Sequence, residues 1–130
     1  MPPLAVPPVV VVAAAIVRDG RVLACRRRGG AHDGEWEFPG GKVEPGEDEV
    51  EALRRECREE LAVEITVGGR VGEDTAIAVG VLKLWTACTA GDPMVRVHDA
   101  ARWVGAKDID ALPWIAADRE LVAALRALLG

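Results

Sequence analysis

Apolar and polar residues fall into blocks whose spacing switches between two periods along the chain. Residues 9–17 are an unbroken run of β-branched and small apolar side chains, the length of one buried strand. The turn Arg18-Asp19-Gly20-Arg21 follows, and Asp-Gly suits the positive φ of a tight hairpin, so 22–27 is the partner strand. Beyond a polar loop, Trp36-Glu37-Phe38 reads as a short strand with Trp36 and Phe38 on one face. With two prolines and three glycines, 39–46 is expected to be irregular. A helix is predicted over 47–61, because Val50, Leu53, Cys57 and Leu61 form one stripe at ~100° per residue. Further strands are expected at 63–71, 75–89 and 102–104. A last helix starts about Asp118, with Leu121, Val122, Leu125 and Leu129 as its apolar face. Strands and helices intermix without a repeat or a linker, which predicts one α/β (α+β) domain over 1–130, built as layers around a sheet.

Composition narrows this picture. The 9–17 run has the length of a secretory segment, but no Lys or Arg precedes it and it runs straight into a turn. A buried strand is the reading adopted, and the run is too short to span a membrane. A net charge of -5 lacks the electrostatic footprint for a nucleic-acid polymer. One small polyanion can still bind where arginines or a metal supply positive charge. Cys25, Cys57 and Cys88 are odd in number and form no CxxC pair, which argues for a reducing cytoplasm over a disulfide framework or a zinc knuckle. Monomer and homodimer are both compatible with the chain.

The candidate chemistry lies in the first helix. Glu56, Glu59 and Glu60 stand at i, i+3 and i+4, so they are neighbours on one surface, on an arc beside the apolar stripe. Three clustered carboxylates repel one another unless a cation sits among them, and oxygen-only ligands suit Mg²⁺ or Mn²⁺. The alternative is a solvated face laced by pairs such as Glu51–Arg55 or Arg55–Glu59. The loop ahead favours the cation: Gly40-Gly41 lets backbone carbonyls approach an ion, and Gly46 frees the chain to enter the helix.

Gly41, Glu47, Arg55-Glu56, Glu59-Glu60 and Val63, at these spacings, closely resemble the signature of the Nudix hydrolases. The flanking segments Trp36–Glu47 (WEFPGGKVEPGE) and Leu112–Asp118 (LPWIAAD) look like its MutT-like, CTP pyrophosphohydrolase-like branch. The resemblance implies an α/β/α sandwich around a mixed sheet. It implies a metal held by Glu56, Glu59 and Glu60 with the Gly40 carbonyl, and Glu47 and Arg55 bracing loop against helix. Glu56 would orient or deprotonate water, and Gly41 would lie on the substrate side of the loop. The implied reaction is Mg²⁺-dependent hydrolysis of a nucleoside diphosphate linked to a group X, with a nucleoside triphosphate such as (d)CTP or 8-oxo-dGTP giving monophosphate and pyrophosphate. Two alternatives stand beside it: a nucleotide-sensing module with little turnover, or hydrolysis of another nucleoside diphosphate derivative.

Ala62 stands where the family has glycine, and a left-handed helix exit costs alanine roughly 1–2 kcal/mol, so a somewhat different exit is expected. MutT-like relatives often place an acid where this chain has Val97; Asp99 is a candidate replacement, and a solvated loop aspartate is the competing reading. His98 is expected to be a surface or loop histidine. By the same resemblance Arg27 contacts phosphates, whereas Arg26 and Arg28 should point away from it. Trp36 and Phe38 either line the base or fill the core. Asp118 either caps the last helix or reads the base edge, where a carboxylate accepts from an exocyclic amine. Trp114 resembles the subgroup that prefers CTP and hydrolyses 8-oxo-dGTP.

Overall fold

The computed structural model describes residues 8–129; residues 1–7, the lead-in weighed above as the front of a secretory segment, lie outside it. The elements in chain order are β1 (Val9–Arg18), β2 (Arg21–Arg26), β3 (Trp36–Glu37), β4 (Gly40–Lys42), α1 (Glu49–Leu61), β5 (Thr66–Ile77), β6 (Gly80–Cys88), β7 (Ala100–Val104), a short 3₁₀ turn at Ile109–Ala111, and α2 (Ala116–Arg126). No helix among the described residues is long and apolar enough to cross a membrane.

The sheet is mixed, and its main path runs β3-β2-β1-β6-β5. Strand β1 lies parallel to β6 from Val9↔Gly80 to Ile16↔Ala87, while β5 and β6 form an antiparallel hairpin. At its other edge β1 forks. It meets β2 only at the hairpin end, Val17↔Val22 and Arg18↔Arg21, then turns to β4 at Val11↔Lys42 and Ala13↔Gly40. Strand β2 in turn takes β3 and β7 as antiparallel partners. The hairpin has positive φ at both Asp19 and Gly20, the geometry that matches the twist of the strands it joins.

Alternation along β1 divides the interior. Val12, Ala14 and Ile16 face one cluster with Leu53, Cys57 and Leu61 of α1; Ala13 and Ala15 face the other with Leu121, Val122 and Leu125 of α2. Each helix covers one face, which gives the α/β/α sandwich.

Several boundaries differ from the sequence expectations for physical reasons. The glycine-rich segment expected to be irregular contains β4; Gly40 fits because any Cβ there would collide with the Val12 carbonyl oxygen. Helix α1 begins at Glu49 instead of residue 47, since Asp48 caps it by accepting from the Glu51 N–H at 2.8 Å. Val50 is only half-buried, and Ala52 and Glu60 join the buried side instead. The polar stretch near Glu73 does not break a strand. It lies in β5, where the register shifts between Val71 and Thr75 and Gly72 takes φ 66°, and the hairpin turn falls later, at 78–79.

The exit of α1 also departs from expectation. Ala62 adopts the left-handed conformation itself, φ 54° and ψ 38°, and its N–H bonds the Arg58 carbonyl at 3.1 Å. Ala62→Gly therefore stabilises the fold by about 1 kcal/mol, because glycine carries no Cβ penalty there. Thermal unfolding reads this as a Tm increase of roughly 4 °C; an unchanged or lower Tm would show that the exit is unstrained.

Candidate active site

Where β1 and β2 part, an open cleft of about 450 Å³ remains. Its walls come from Val11, the β4 segment Gly40-Gly41-Lys42, Glu60 of α1, Arg27 and Arg28 beyond β2, Glu37 of β3, and Val97-His98 before β7. Cations and carboxylates thus face one another across a gap that the sheet leaves open.

Arg55 organises the acidic side. Its Nε and Nη2 reach the two carboxylate oxygens of Glu47 at 2.8 and 3.0 Å, and Nη2 also donates to the Lys42 carbonyl at 3.0 Å. The fork-to-carboxylate geometry is one that a lysine could not reproduce. Bonded this way, Glu47 is held down to about 2, well below the usual carboxylate range. The remaining nitrogen, Nη1, lies 2.9 Å from Glu56 Oε1 and 3.4 Å from Glu59 Oε2. Glu60 directs Oε2 at the Gly40 N–H, 3.1 Å away. Each of the three helix carboxylates thus spends one oxygen on the protein. The other, Oε2 of Glu56 and Oε1 of Glu59 and Glu60, takes no hydrogen bond among the described residues.

Glu60 is not on a solvated arc beside the stripe. It is 9% exposed, and burial, followed by the charges of Glu56, Glu37 and Glu59, pushes its carboxyl up to about 8. Burial also raises Glu56, although Arg55 opposes it. Gly41 packs so closely on Glu56 that a Cβ there would sit 2.5 Å from its carboxyl carbon. No three acidic, histidine or cysteine side chains among the described residues already converge into a cage. The donor chemistry nonetheless fits a hard divalent cation: only oxygens are on offer, one is free on each of three neighbouring side chains, and burial leaves Glu60 short of positive charge.

Asp118 sits on the opposite layer and is not the cap of α2. Ile115 occupies that position without a side-chain bond, and Asp118 lies in the first turn, 7% exposed. Its Oδ2 accepts from the Phe38 N–H at 2.8 Å. Burial, and secondarily the Glu37 charge, lifts it to about 7 against the pull of Phe38 N–H and Arg27. The loop before α2 fixes this position by laddering onto β3: Trp36 N–H donates to the Pro113 carbonyl and Ile115 N–H to the Trp36 carbonyl. Trp36 and Phe38 are both buried in the α2-side core, with the Phe38 and Trp114 rings 4.6 Å apart, and neither lines the cleft.

The segments after β2 and ahead of β7 correct two expectations, for Arg28 and His98, and give Asp99 a partner. Asp99, open between replacing the acid absent at Val97 and a solvated aspartate, bonds Arg26 Nε through Oδ1 at 2.6 Å and does not line the cleft. His98 is not a surface residue: it is 3% exposed and its Nε2 lies 2.8 Å from Glu37 Oε2. Arg28 does not point away from Arg27, since both line the cleft. The strand ends at Arg26, so alternation no longer governs the next residues. Glu37 and Lys42 were not singled out from sequence, and Arg28 and His98 were expected to lie away from the site. For Glu37 the signal was present, because period two sends it to the face opposite Trp36 and Phe38.

Helix-borne carboxylates beside a glycine-lined strand, with Glu60 facing arginines across a cleft in a mixed sheet, are the groups that phosphate handling assisted by a cation calls for. The NUDIX domain family model matches residues 7–125. The chain belongs to the Nudix family, whose members generally use a divalent metal. It is 43% identical over 122 residues to a Mycobacterium tuberculosis protein provisionally named 8-oxo-dGTP diphosphatase 2, an alignment covering 89% of this chain and 86% of that protein. To the Escherichia coli CTP pyrophosphohydrolase it is 39% identical over 123 residues, 91% of each chain. Among solved structures, the MutT NUDIX hydrolase from Burkholderia pseudomallei superposes with a TM-score of 0.76 at 30% identity, covering 92% of this chain and 98% of that one.

The pH dependence of stability follows from Asp118. Its folded-state pKa of about 7 exceeds its ordinary value, so the folded protein holds a proton that the unfolded chain releases. Stability contributed by the neutral carboxyl is present at low pH and falls as pH rises from about 4 toward 7. Glu60 adds slope of the same sign, so the comparison is with a variant. Asp118→Asn, which keeps an acceptor for Phe38 N–H, should remove on the order of 3 kcal/mol of that loss between pH 4 and 8. Urea unfolding across this range measures it, and parallel slopes for both proteins would show that Asp118 ionises freely.

Proposed function

We propose that the protein is a Mg²⁺-dependent nucleoside triphosphate pyrophosphohydrolase that converts (d)CTP-like or 8-oxo-dGTP-like nucleotides to monophosphate and pyrophosphate. The observation that carries this reading is the cleft itself, where Glu60 faces Arg27, Arg28 and Lys42 while Glu56 and Glu59 stand beside it on α1, bound to Arg55. The names borne by the mycobacterial and Escherichia coli relatives support the substrate class.

The ion would be held by Glu56, Glu59 and Glu60 together with the Gly40 backbone. When bound it neutralises phosphate charge and acidifies water. The residues of the chain account for the rest. Arg27, Arg28 and Lys42 bring a polyanion to a protein that is acidic overall. Arg55 holds Glu56 from one side and leaves Oε2 available to orient the attacking water. Asp118 is buried behind the cleft lining, but its second oxygen is unengaged among the described residues, and that free acceptor supports a role in meeting the exocyclic amine of cytosine or guanine. Phe38 holds that carboxyl through its N–H, and Trp36 and Trp114 pack with Phe38 in the α2-side core.

Incubation with Mg²⁺ and a nucleotide panel should release pyrophosphate, fastest from the cytidine or oxidised guanine triphosphates. No release from any nucleotide would favour the sensing module. Glu59→Gln should lower turnover by at least about a hundredfold with the circular dichroism spectrum unchanged, since it removes one anionic ligand while keeping the shape. A near-wild-type rate in that variant would remove Glu59 from the metal set.

A further inference from the structure

His98 poses a problem that the proposed chemistry leaves unsolved. It is 3% exposed, its Nε2 engages Glu37 Oε2 at 2.8 Å, and its Nδ1 is buried without any hydrogen-bond partner. Leaving a buried polar atom unpaired costs roughly 1–3 kcal/mol, and such an atom in a folded protein calls for an explanation. A leucine would fill comparable space without that cost. What imidazole alone supplies here is the Nε2–H aimed at Glu37; a carboxylate can only accept, which assigns the proton to Nε2.

The contacts of Glu37 show where this bond leads. Its Oε2 meets His98, and its Oε1 lies 3.8 Å from Arg27 Nη1. Side-chain exposure rises along the series, from 3% at His98 to 22% at Glu37 and 45% at Arg27. His98 is the fixed end. Arg28 Nη2 donates to its carbonyl at 3.0 Å, and the next amide, Asp99 N–H, donates to the Arg26 carbonyl at 3.1 Å. Arg27 is the free end, since Glu37 is the one acidic partner that the described residues give its guanidinium. A half-exposed arginine without a fixed partner samples many rotamers, and holding it in one of them lowers the entropic cost of gripping an anion.

We propose that His98 is a positioning residue that fixes the Glu37 carboxylate and, through it, holds the Arg27 guanidinium at the mouth of the cleft where the substrate polyphosphate lies. The assignment rests on the proposed triphosphate chemistry for its ligand, and on the His98–Glu37–Arg27 geometry for its mechanism. His98 belongs to the cleft wall, but its side chain is 3% exposed, so its assigned effect runs through Glu37. It acts on affinity and leaves the reacting atoms alone.

The test is a split of kinetic constants with a double-mutant cycle. His98→Leu should raise KM for the best nucleoside triphosphate about tenfold while kcat stays within about threefold. His98→Gln, which can still offer an N–H to Glu37, should recover most of that loss. In an Arg27→Ala background, His98→Leu should add less than about twofold. A fall in kcat at unchanged KM would overturn the proposal, as would an equal KM penalty with and without Arg27, or a glutamine variant no better than leucine. Should His98→Leu fail to fold, Glu37→Gln breaks the same relay from its middle and must show the same coupling to Arg27. If the wild-type protein hydrolyses no nucleotide, the function proposed above fails by itself. The same variants are then compared by calorimetric affinity for a methylene-bridged, non-hydrolysable nucleoside triphosphate, where absence of the Arg27-dependent loss, or of any binding, overturns the relay.

Discussion

Two buried carboxylates hold three consecutive residues, and the site depends on that clamp. Asp118, from one helix layer, takes the N–H of Phe38; Glu60, from the other, takes the N–H of Gly40. Pro39 between them has no N–H to satisfy, and its carbonyl accepts from Ala14 in the sheet. The segment is therefore tied to both helices and to β1 at once. Burying two acids is unfavourable, and their raised pKa values record it. The return is a backbone whose direction at Gly40-Gly41 is set from three sides.

The fork in β1 supplies the space. Had β1 continued alongside β2, ladder hydrogen bonds would close the gap that β4 and β3 instead border. Arg55 then arranges charge along one rim. Its single guanidinium serves Glu47, Glu56, Glu59 and the Lys42 carbonyl, so loop and helix share one cation. The acidic rim is prevented from repelling itself apart, yet one oxygen per ligand carboxylate is left for something else. Opposite lie Arg27 and Arg28 beyond β2, while Lys42 stands on β4, which α1 itself holds through Glu60 and Arg55.

Much of this was legible because it is local. The i, i+3, i+4 spacing of Glu56, Glu59 and Glu60 is a property of any helix, and the Asp19-Gly20 turn follows from backbone sterics. What escaped depends on distant partners. Asp118 offered two readings, cap or base reader, and neither included its bond to the Phe38 N–H, because Phe38 is remote in sequence. His98 does lie in a loop, but its burial escaped because it depends on Arg26, Arg28 and Glu37, none of them nearby in the chain. Arg28 escaped because strand alternation was carried past the last paired residue. Gly72 was read with its polar neighbours as a break, when a left-handed glycine lets the strand bulge and continue.

The parallel pairing of β1 with β6 governs how the molecule is assembled. Val9 is synthesised well before its partner, Gly80, which lies 71 residues further along the chain. Until then the apolar first hairpin has one edge uncovered, and the chain must close a long loop before the central ladder can form. Such a non-local topology folds slowly for its size, so the nascent protein's exposure to self-association is greatest before β6 is synthesised.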